Sequence, residues 1–318
     1  MTWRIFTGNA SPSPGKSEAW RRLPEPPPWR QRDVAITRFV VTDELLDAVN
    51  AALHLRRPLL LTGAPGSGKS TLVSLVAAEL GLGEPLNWYI TSRSALADGL
   101  FQYDALGRLH ATQTRPGTKA RPNTEAAELR VEDYVTLGPL GTALASRDKP
   151  RAVLIDEIDK SDFDLPSDLL NVLEEGEFDI PPLVRVAGKV PLRRVRGADR
   201  QTYEVDGGVV RRSHWPVIIM TSNGERTFPA PFLRRCVRFE MATPTALFLE
   251  NVVDGYLAGV IGHDRQMITE FAQRLVAGER LAIDQLLNYL HLVTSQRGVD
   301  PAVRERLEKT LLEELNGR

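Results

Sequence analysis

The segment that decides the fold is Pro58-Leu59-Leu60-Leu61-Thr62, followed directly by Gly63-Ala64-Pro65-Gly66-Ser67-Gly68-Lys69-Ser70. A short apolar run that stops at a glycine predicts a buried strand. The residues from Ser70 to Leu80 have the pattern of a helix, which Gly81 would close. A strand, a glycine-rich turn and a helix form one α/β unit, and such units predict a parallel sheet.

The glycine-rich turn has the spacing of a phosphate-binding loop, in which two spaced glycines precede Gly-Lys-Ser. Its glycines let the backbone wrap so that successive N–H groups point at a triphosphate. Lys69 would bring a positive charge to the β- and γ-phosphates, and the hydroxyl of Ser70 would ligate Mg²⁺. No Asn-Lys-x-Asp motif, which reads guanine, occurs in the chain, and this favours ATP over GTP. The predicted nucleotide-binding residues are Gly63, Ala64, Pro65, Gly66, Ser67, Gly68, Lys69, Ser70 and Thr71.

A second apolar strand, Val153-Leu154-Ile155, ends in the carboxylates of Asp156 and Glu157. Beside a phosphate-binding loop, the first carboxylate would hold Mg²⁺, usually through water, and the second would polarise the attacking water. An Asp-Glu pair after an apolar run is common by itself, so this interpretation depends on the loop. Asp159 and Asp162, which follow, are interpreted as solvated residues of a loop or a helix start.

Two further groups of polar residues border later strands. Asn223 ends the apolar run that begins at Val217, where it could cap a turn or orient a water near the γ-phosphate. Arg234 and Arg235 precede the strand that begins near Cys236. Such a pair is commonly a solvated face, but arginines before an edge strand can also stabilise transition-state charge on a neighbouring subunit's nucleotide.

The chain divides into three predicted regions. Residues 1–33 form a proline-rich arm, which we expect to be flexible and whose tryptophans could dock onto another surface. Residues 34–243 form an α/β nucleotide-binding domain, and residues 244–318, where strand patterns cease, form a helical lid domain. The further candidate strands are Trp88–Thr91, Ala152–Ile155, Val217–Thr221 and Val237–Glu240, and the helical patterns of the lid lie around 245–258, 264–277, 281–295 and 301–315.

A basic segment at about 184–212 has alternating apolar positions and predicts a hairpin-like insert in the nucleotide-binding domain. Its arginines are compatible with three alternatives: they lie in solvent on the hairpin, they contact a substrate or partner, or they bind nucleic acid. The formal net charge of the whole chain is −1, which gives no overall attraction to nucleic acid. Nucleic acid is therefore the least favoured partner.

The composition excludes several other classes of protein. The chain is 42% hydrophobic and 25% charged, as is typical of a globular protein. The single cysteine excludes an internal disulfide framework, and the isolated histidines show no metal-ligand spacing. No apolar run approaches the length of about 18 residues that a membrane-spanning helix needs. We therefore expect a cytoplasmic protein without a membrane partner.

The order of these motifs, with a helical lid after them, resembles an AAA+ ATPase. Within that superfamily the chain resembles the MoxR-type branch in two segments, Leu169–Gly176 and Phe228–Arg235. The resemblance implies a P-loop NTPase fold, with a five-stranded parallel sheet flanked by helices and a small all-α lid. It also implies a homo-oligomer, commonly a hexameric ring with ATP at each subunit junction. Such rings act on protein partners, often ones that bear von Willebrand factor A domains.

The resemblance also implies roles for individual residues. Asn223 falls at the position called sensor 1, and Arg234 and Arg235 fall at the position of the arginine finger that acts in trans. The lid of the family usually carries a further arginine, sensor 2, for which Arg280 is the candidate. Asp284 stands where a basic residue is expected, and this favours a missing contact over a role for Arg280.

The leading functional hypothesis is Mg²⁺-dependent ATP hydrolysis that remodels or assembles a protein partner. Its predicted catalytic residues are Lys69, Glu157, Asn223, Arg234 and Arg235, and its predicted metal ligands are Ser70 and Asp156. Two alternatives stay open: a slow ATP-dependent switch or scaffold, and a nucleic-acid-dependent AAA+ motor. The turnover rate would distinguish the first alternative, and salt-dependent stimulation by DNA or RNA would distinguish the second.

Overall fold

The computed structural model describes residues 23–31, 39–113, 130–188, 191–257, 261–279, 281–295 and 300–313, which divide into two compact units. The sheet unit contains Asp43–Thr62 and Val73–Glu240, and the helical unit contains the described parts of Met1–Thr42, Gly63–Leu72 and Met241–Arg318. The domain limits at residues 33 and 243 rest on sequence patterns and stay predictions. Most of the proline-rich arm, including Trp3 and Trp20, lies outside the described residues.

The regular elements are numbered in chain order. The described strands are β1 (Leu59–Thr62), β2 (Leu86–Tyr89), β3 (Phe101–Tyr103), β4 (Val135–Leu137), β5 (Ala152–Asp156), β6 (Glu177–Asp179), β7 (Leu192–Arg196), β8 (Thr202–Asp206), β9 (Val209–Arg211), β10 (Val217–Ser222) and β11 (Val237–Glu240). The described α-helices are α1 (Asp43–Leu55), α2 (Lys69–Glu79), α3 (Leu96–Leu100), α4 (Ala105–Gln113), α5 (Pro139–Ala145), α6 (Leu165–Glu175), α7 (Pro181–Val184), α8 (Ala230–Leu233), α9 (Ala246–Tyr256), α10 (Ile261–Val276), α11 (Ile283–Ser295) and α12 (Pro301–Leu311).

The first sheet of the sheet unit has five parallel strands in the order β11-β1-β10-β5-β2. This confirms the predicted five-stranded parallel sheet. Strand β2 covers Leu86–Tyr89 instead of the predicted Trp88–Thr91. Its buried side chains, those of Leu86 and Trp88, alternate with exposed ones. Strands β5 and β10 are neighbours, so the segments that follow their carboxyl ends begin at the same edge of the sheet.

One large apolar cluster in the sheet unit contains residues of two sheets. Leu60, Ile155 and Met220 contribute to it from the first sheet, and Val195 and Val205 contribute from a second sheet. Continuous burial along β5 and β10 is typical of parallel strands that helices cover on both faces. The apolar runs that predict these strands from the sequence are therefore the residues that build the core.

The second sheet has six strands in the order β3-β4-β7-β8-β9-β6. The segment predicted as a hairpin-like insert contains the antiparallel hairpin β7–β8, but it also contains β9 and is one part of this larger sheet. Several of its arginines have partners in the fold and are not simply solvated. Arg193 bonds Glu132 at 2.9 Å with both side chains largely buried, and Arg211 bonds Glu177 at 3.1 Å.

A largely buried polar network joins Arg151 to the turn and the second strand of the β7–β8 hairpin. Arg151, which is 7% exposed, donates to Asp199 Oδ2 at 2.7 Å, to the Tyr203 hydroxyl at 3.0 Å and to the Glu84 carbonyl at 3.1 Å. Burial acts to raise the pKa of Asp199, but the hydrogen bonds from Arg151 and Tyr203 outweigh it, and the pKa lies below its usual value. Burial and the hydrogen bond to Asp199 raise the pKa of Tyr203 to about 12. The stability that ionised Asp199 contributes is thus present at neutral pH and is lost as the pH falls through its lowered pKa.

Arg151→Met is expected to lower the free energy of unfolding by about 3 to 5 kcal/mol, because it leaves the Asp199 carboxylate buried without its cation. Arg147→Met is the matched control, since Arg147 pairs with Glu204 at 3.3 Å on the surface. The control substitution should lower the free energy of unfolding by no more than about 1 kcal/mol. Urea denaturation of both variants measures the difference, and equal losses would contradict a buried network.

The helical unit has its own apolar core, to which α9, α10 and α11 contribute Leu249, Phe271 and Leu290. Trp29 packs at the edge of this core, edge to face with Tyr256 and His291 at ring-centroid distances of 6.2 and 5.5 Å. Trp29 therefore docks within its own chain. Burial lowers the pKa of His291, so its ring is neutral at pH 7. Within the described ranges, none of the helices has the length and apolar character to span a bilayer.

Candidate active site

The glycine-rich loop follows β1 and belongs to the helical unit. Gly66 and Gly68 have φ angles of +74° and +84°, in the left-handed region that favours glycine. A Cβ at position 66 would lie 2.9 Å from Ala282 Cβ, and a Cβ at position 68 would lie 2.5 Å from a ring carbon of Phe39. The loop thus requires glycine at both positions, for its backbone conformation and for its close packing.

The polar groups of the loop fit a polyphosphate. Lys69 is 7% exposed, and its ammonium donates to the carbonyl oxygens of Gly63 at 2.7 Å and Ala64 at 2.8 Å. The Ser67 hydroxyl is buried and has no hydrogen-bond partner in the described part of the chain. A buried polar group without a partner is uncommon, and a phosphate oxygen would satisfy this hydroxyl. The loop therefore combines a cation with an unsatisfied polar group.

Ser70 and Thr71 lie in the first turn of α2, where backbone N–H groups favour an anion. The described residues contain no cluster of three or more His, Cys, Asp or Glu side chains that could hold a metal by themselves. Mg²⁺ is usually bound by one or two protein oxygens together with water and phosphates. The Ser70 hydroxyl in the helical unit and the Asp156 carboxylate in the sheet unit are each an oxygen donor whose chemistry fits Mg²⁺.

A second group of candidate residues lies within the sheet unit, at the carboxyl ends of β5 and β10. The Thr221 hydroxyl donates to Asp156 Oδ1 at 2.6 Å and accepts the backbone N–H of Glu157 at 2.9 Å. Glu157 has φ 60° and ψ 47°, a left-handed conformation that costs about 1 kcal/mol or more for a residue other than glycine. Thr221 therefore connects the two strands and holds the bend that directs the Glu157 side chain.

Both carboxylate oxygens of Glu157 have partners. Asn223 Nδ2 donates to Oε1 at 3.2 Å, and Lys160 Nζ lies 2.6 Å from Oε2. The hydrogen bond with Glu157 raises the pKa of Lys160 and outweighs the effect of burial, so Lys160 carries its charge. The structure thus brings together Asp156, Glu157 and Asn223, which the sequence predicted as site residues from the ends of two different strands.

The two arginines before β11 have different surroundings. Arg235 Nε lies 3.1 Å from Glu174 Oε1, and Arg235 also donates to Asn171 Oδ1 at 3.4 Å, so that it contacts α6. Arg234 is exposed, and no described residue forms a hydrogen bond or ion pair with its side chain. Its carbonyl oxygen accepts a hydrogen bond from Arg57 at 3.2 Å. Although the sequence presents the pair as equivalent, only Arg234 extends freely into solvent.

Sequence reasoning missed two residues near Glu157. The interpretation of Asp159 as solvated is wrong, because it is 5% exposed and accepts hydrogen bonds from the segment after β10. Asp162 is exposed and lies just before α6, where its carboxylate accepts the backbone N–H of Leu165 at 2.8 Å. Lys160 is the second residue that was missed, although its place three residues after Glu157 could have indicated the ion pair. Arg280 lies outside the described residues.

A glycine-rich phosphate loop after β1, an Asp-Glu pair after β5 and a five-stranded parallel sheet define a P-loop ATPase fold of the AAA+ class. Residues 58–236, more than half of the chain, match the model of the AAA domain (dynein-related subfamily), and the chain belongs to that family. No curated protein matches this chain. Among solved structures, the chain is similar to the P216G mutant of Thermotoga maritima RuvB, with 14% identity over 86% of this chain and 72% of that one, at a TM-score of 0.44.

Proposed function

We propose that this protein is a Mg²⁺-dependent ATPase of the MoxR type, which assembles into a ring and uses ATP hydrolysis to remodel or assemble a protein partner. Membership of the AAA domain family supports nucleotide binding and ATP-driven activity in general. The MoxR assignment rests on the resemblance of Leu169–Gly176 and Phe228–Arg235. A partner with a von Willebrand factor A domain is proposed on the same resemblance.

The role proposed for each residue follows from the chemistry of its side chain. Lys69 and the residues of the loop through Thr71 bind the phosphates, and Ser70 and Asp156 would hold Mg²⁺. When bound, Mg²⁺ neutralises the charge of the phosphates. Glu157 accepts a proton from the attacking water, and Asn223 orients that water or the carboxylate. Exclusion of bulk water and positioning of the reacting groups provide the remaining acceleration of hydrolysis.

The observation that best supports this proposal is the contact between Glu157 and Asn223, at 3.2 Å. The two residues are far apart in sequence and end different strands, yet the amide meets the carboxylate in front of the same sheet edge. A solvated Asp-Glu pair would need no such partner. Turnover of Mg-ATP by the purified protein, with and without EDTA, tests the proposal directly. The absence of Mg²⁺-dependent phosphate release would contradict it.

Arg234 is proposed as the finger that reaches the nucleotide of a neighbouring subunit, and Arg235 as the residue that holds the segment to α6. Arg234→Ala is expected to lower turnover by about 1,000-fold or more, because transition-state charge loses its cation. Arg235→Ala should lower turnover less, since its guanidinium is already engaged by Glu174. Turnover measured above and below the protein concentration at which rings form shows whether the arginine acts in trans.

Mixed rings make this test sharper. Arg234→Ala subunits keep Glu157, and Glu157→Gln subunits keep Arg234, so a junction between the two variants can contain one intact site. Mixing two inactive variants should therefore restore part of the turnover. Full turnover by a wild-type monomer, or no recovery on mixing subunits that do assemble, would contradict the action in trans.

A slow ATP-dependent switch is the second candidate function, and one observation favours it. Both oxygens of Glu157 already have a partner, Lys160 or Asn223, so fewer lone pairs of the carboxylate remain for the attacking water. Such an arrangement is expected to slow hydrolysis until a partner or assembly changes it. Tight ATP binding with very slow turnover, together with nucleotide-dependent partner binding, would favour the switch over the remodeller.

A further inference from the structure

We propose that Asp159 and Arg226 are positioning residues, which hold the segment after β10 against the segment after β5 and so place Asn223 beside Glu157. The inference rests on the proposed function, because it concerns how the proposed catalytic pair is kept in place. Neither residue contacts the nucleotide or the attacking water in this proposal. They act through the backbone of the two segments that carry Glu157 and Asn223.

Asp159 provides the first connection. It lies in the 3-10 turn Ile158–Lys160 that follows Glu157, and its Oδ2 accepts the backbone N–H of Asn223 at 3.0 Å and that of Glu225 at 3.1 Å. Its other oxygen, Oδ1, is buried and has no hydrogen-bond partner among the described residues. A buried carboxylate is costly unless its charge is hydrogen-bonded, so the two N–H donors of the other segment are what stabilises it here.

Arg226 provides the second connection, in the opposite direction. It belongs to the segment after β10, and its guanidinium donates to the carbonyl oxygens of Ser161 at 2.8 Å and Asp162 at 3.0 Å. It also reaches the Ser161 hydroxyl at 3.3 Å. Each segment thus supplies a charged side chain that bonds the backbone of the other segment. Along the segment after β10, the contacts with Asp159 fall at Asn223 and Glu225, and Arg226 follows directly.

These connections matter because the catalytic contact itself is weak. The Asn223 amide meets Glu157 at 3.2 Å, and the Glu157 side chain is 40% exposed. A single hydrogen bond between two side chains near solvent is too little to order both of them by itself. The charged bonds of buried Asp159 and of half-buried Arg226 add to this contact, and they fix the backbone from which Asn223 extends. A misplacement of about 1 Å at a catalytic group can cost 100-fold in rate.

The test compares Asp159 with Asp162 in the full-length protein. Asp159→Ala is expected to lower kcat by about 100-fold while the Kd for ATP changes less than about twofold, because the phosphate loop is untouched. Asp159→Asn should recover part of the loss, since the amide oxygen can accept both N–H groups. Asp162→Ala is the matched control, because the Asp162 carboxylate accepts the backbone N–H of Leu165 and, within the described ranges, forms no hydrogen bond with the segment after β10. Its kcat should stay within about threefold of the wild type.

Amide hydrogen exchange gives a second measurement that does not depend on turnover. In Asp159→Ala, and likewise in Arg226→Met, residues 222–228 should exchange faster than in the wild type, whereas Asp162→Ala should leave them unchanged. Unchanged exchange or unchanged kcat in Asp159→Ala would overturn the inference, as would an equal loss of kcat in Asp162→Ala. If the wild type shows no turnover at all, the proposed function fails, and the exchange data alone then decide whether Asp159 fixes the segment.

Discussion

Glu157→Gln is expected to bind ATP with nearly wild-type affinity and to lose at least about 100-fold in turnover, because an amide cannot accept a proton from the attacking water. The replacement keeps the size of the side chain, and its amide oxygen can still accept the hydrogen bond from Asn223. Only the ion pair with Lys160 is lost, and this pair is partly exposed and contributes at most about 1 kcal/mol. The fold and the nucleotide affinity should therefore survive the change.

Sedimentation of the Glu157→Gln protein with and without Mg-ATP, beside wild-type turnover, measures both parts of this prediction. ATP-induced assembly of the variant would support a ring that is trapped before hydrolysis. Glu225→Gln is the matched control, since it removes one carboxylate from the exposed segment after β10 and should leave turnover within about twofold of the wild type. Undiminished hydrolysis in Glu157→Gln would show that another group activates the water.

Lys69→Ala is expected to weaken ATP binding by roughly 10- to 150-fold, because the phosphates lose a charge-assisted hydrogen bond of about 1.5 to 3 kcal/mol. The ammonium is buried in the loop, where it donates to Gly63 and Ala64, so a bound phosphate would meet it with little solvent between them. Unlike Glu157→Gln, this variant should lose turnover through binding. Raising the ATP concentration should therefore recover part of its rate.

Equilibrium binding of a fluorescent ATP analogue measures the change in affinity for Lys69→Ala. Lys149→Ala serves as the control, since the Lys149 ammonium donates to the carbonyl of Gly81 in the sheet unit. Thermal melting of both variants separates a loss of affinity from a loss of folded protein. Wild-type affinity in folded Lys69→Ala would remove Lys69 from the nucleotide site and would contradict the whole assignment of the loop.

The parallel sheet could be predicted because its strands are local apolar runs. Burial on both faces leaves a continuous run such as Val153–Ile155, which periodicity detects without knowledge of the neighbours. The second sheet could not be predicted in the same way. Strands β3, β4, β6 and β9 have only three residues each, too few to show alternation, and pairs such as β3–β4 join segments that are distant in sequence.

The residues of the candidate site also include some that the sequence could predict and some that it could not. Asp156, Glu157 and Asn223 were predictable because each stands where an apolar run ends, at the edge where parallel strands present polar groups. Asp159 was not predictable, because no local pattern tells whether a carboxylate in a turn meets water or the N–H groups of another segment. The difference between Arg234 and Arg235 is also tertiary, since it depends on Glu174 in α6.

The positions of three tryptophans have a consequence for optical spectroscopy. Trp29 lies in the helical unit beside His291, whereas Trp88 is buried in β2 and Trp215 lies beneath the Arg212 guanidinium at 3.4 Å. Each unit therefore contains its own intrinsic fluorophore. Variants that keep one tryptophan at a time would report the melting of the two units separately. Emission from Trp29 would in addition sense protonation of its histidine neighbour, because an imidazolium ring quenches indole fluorescence.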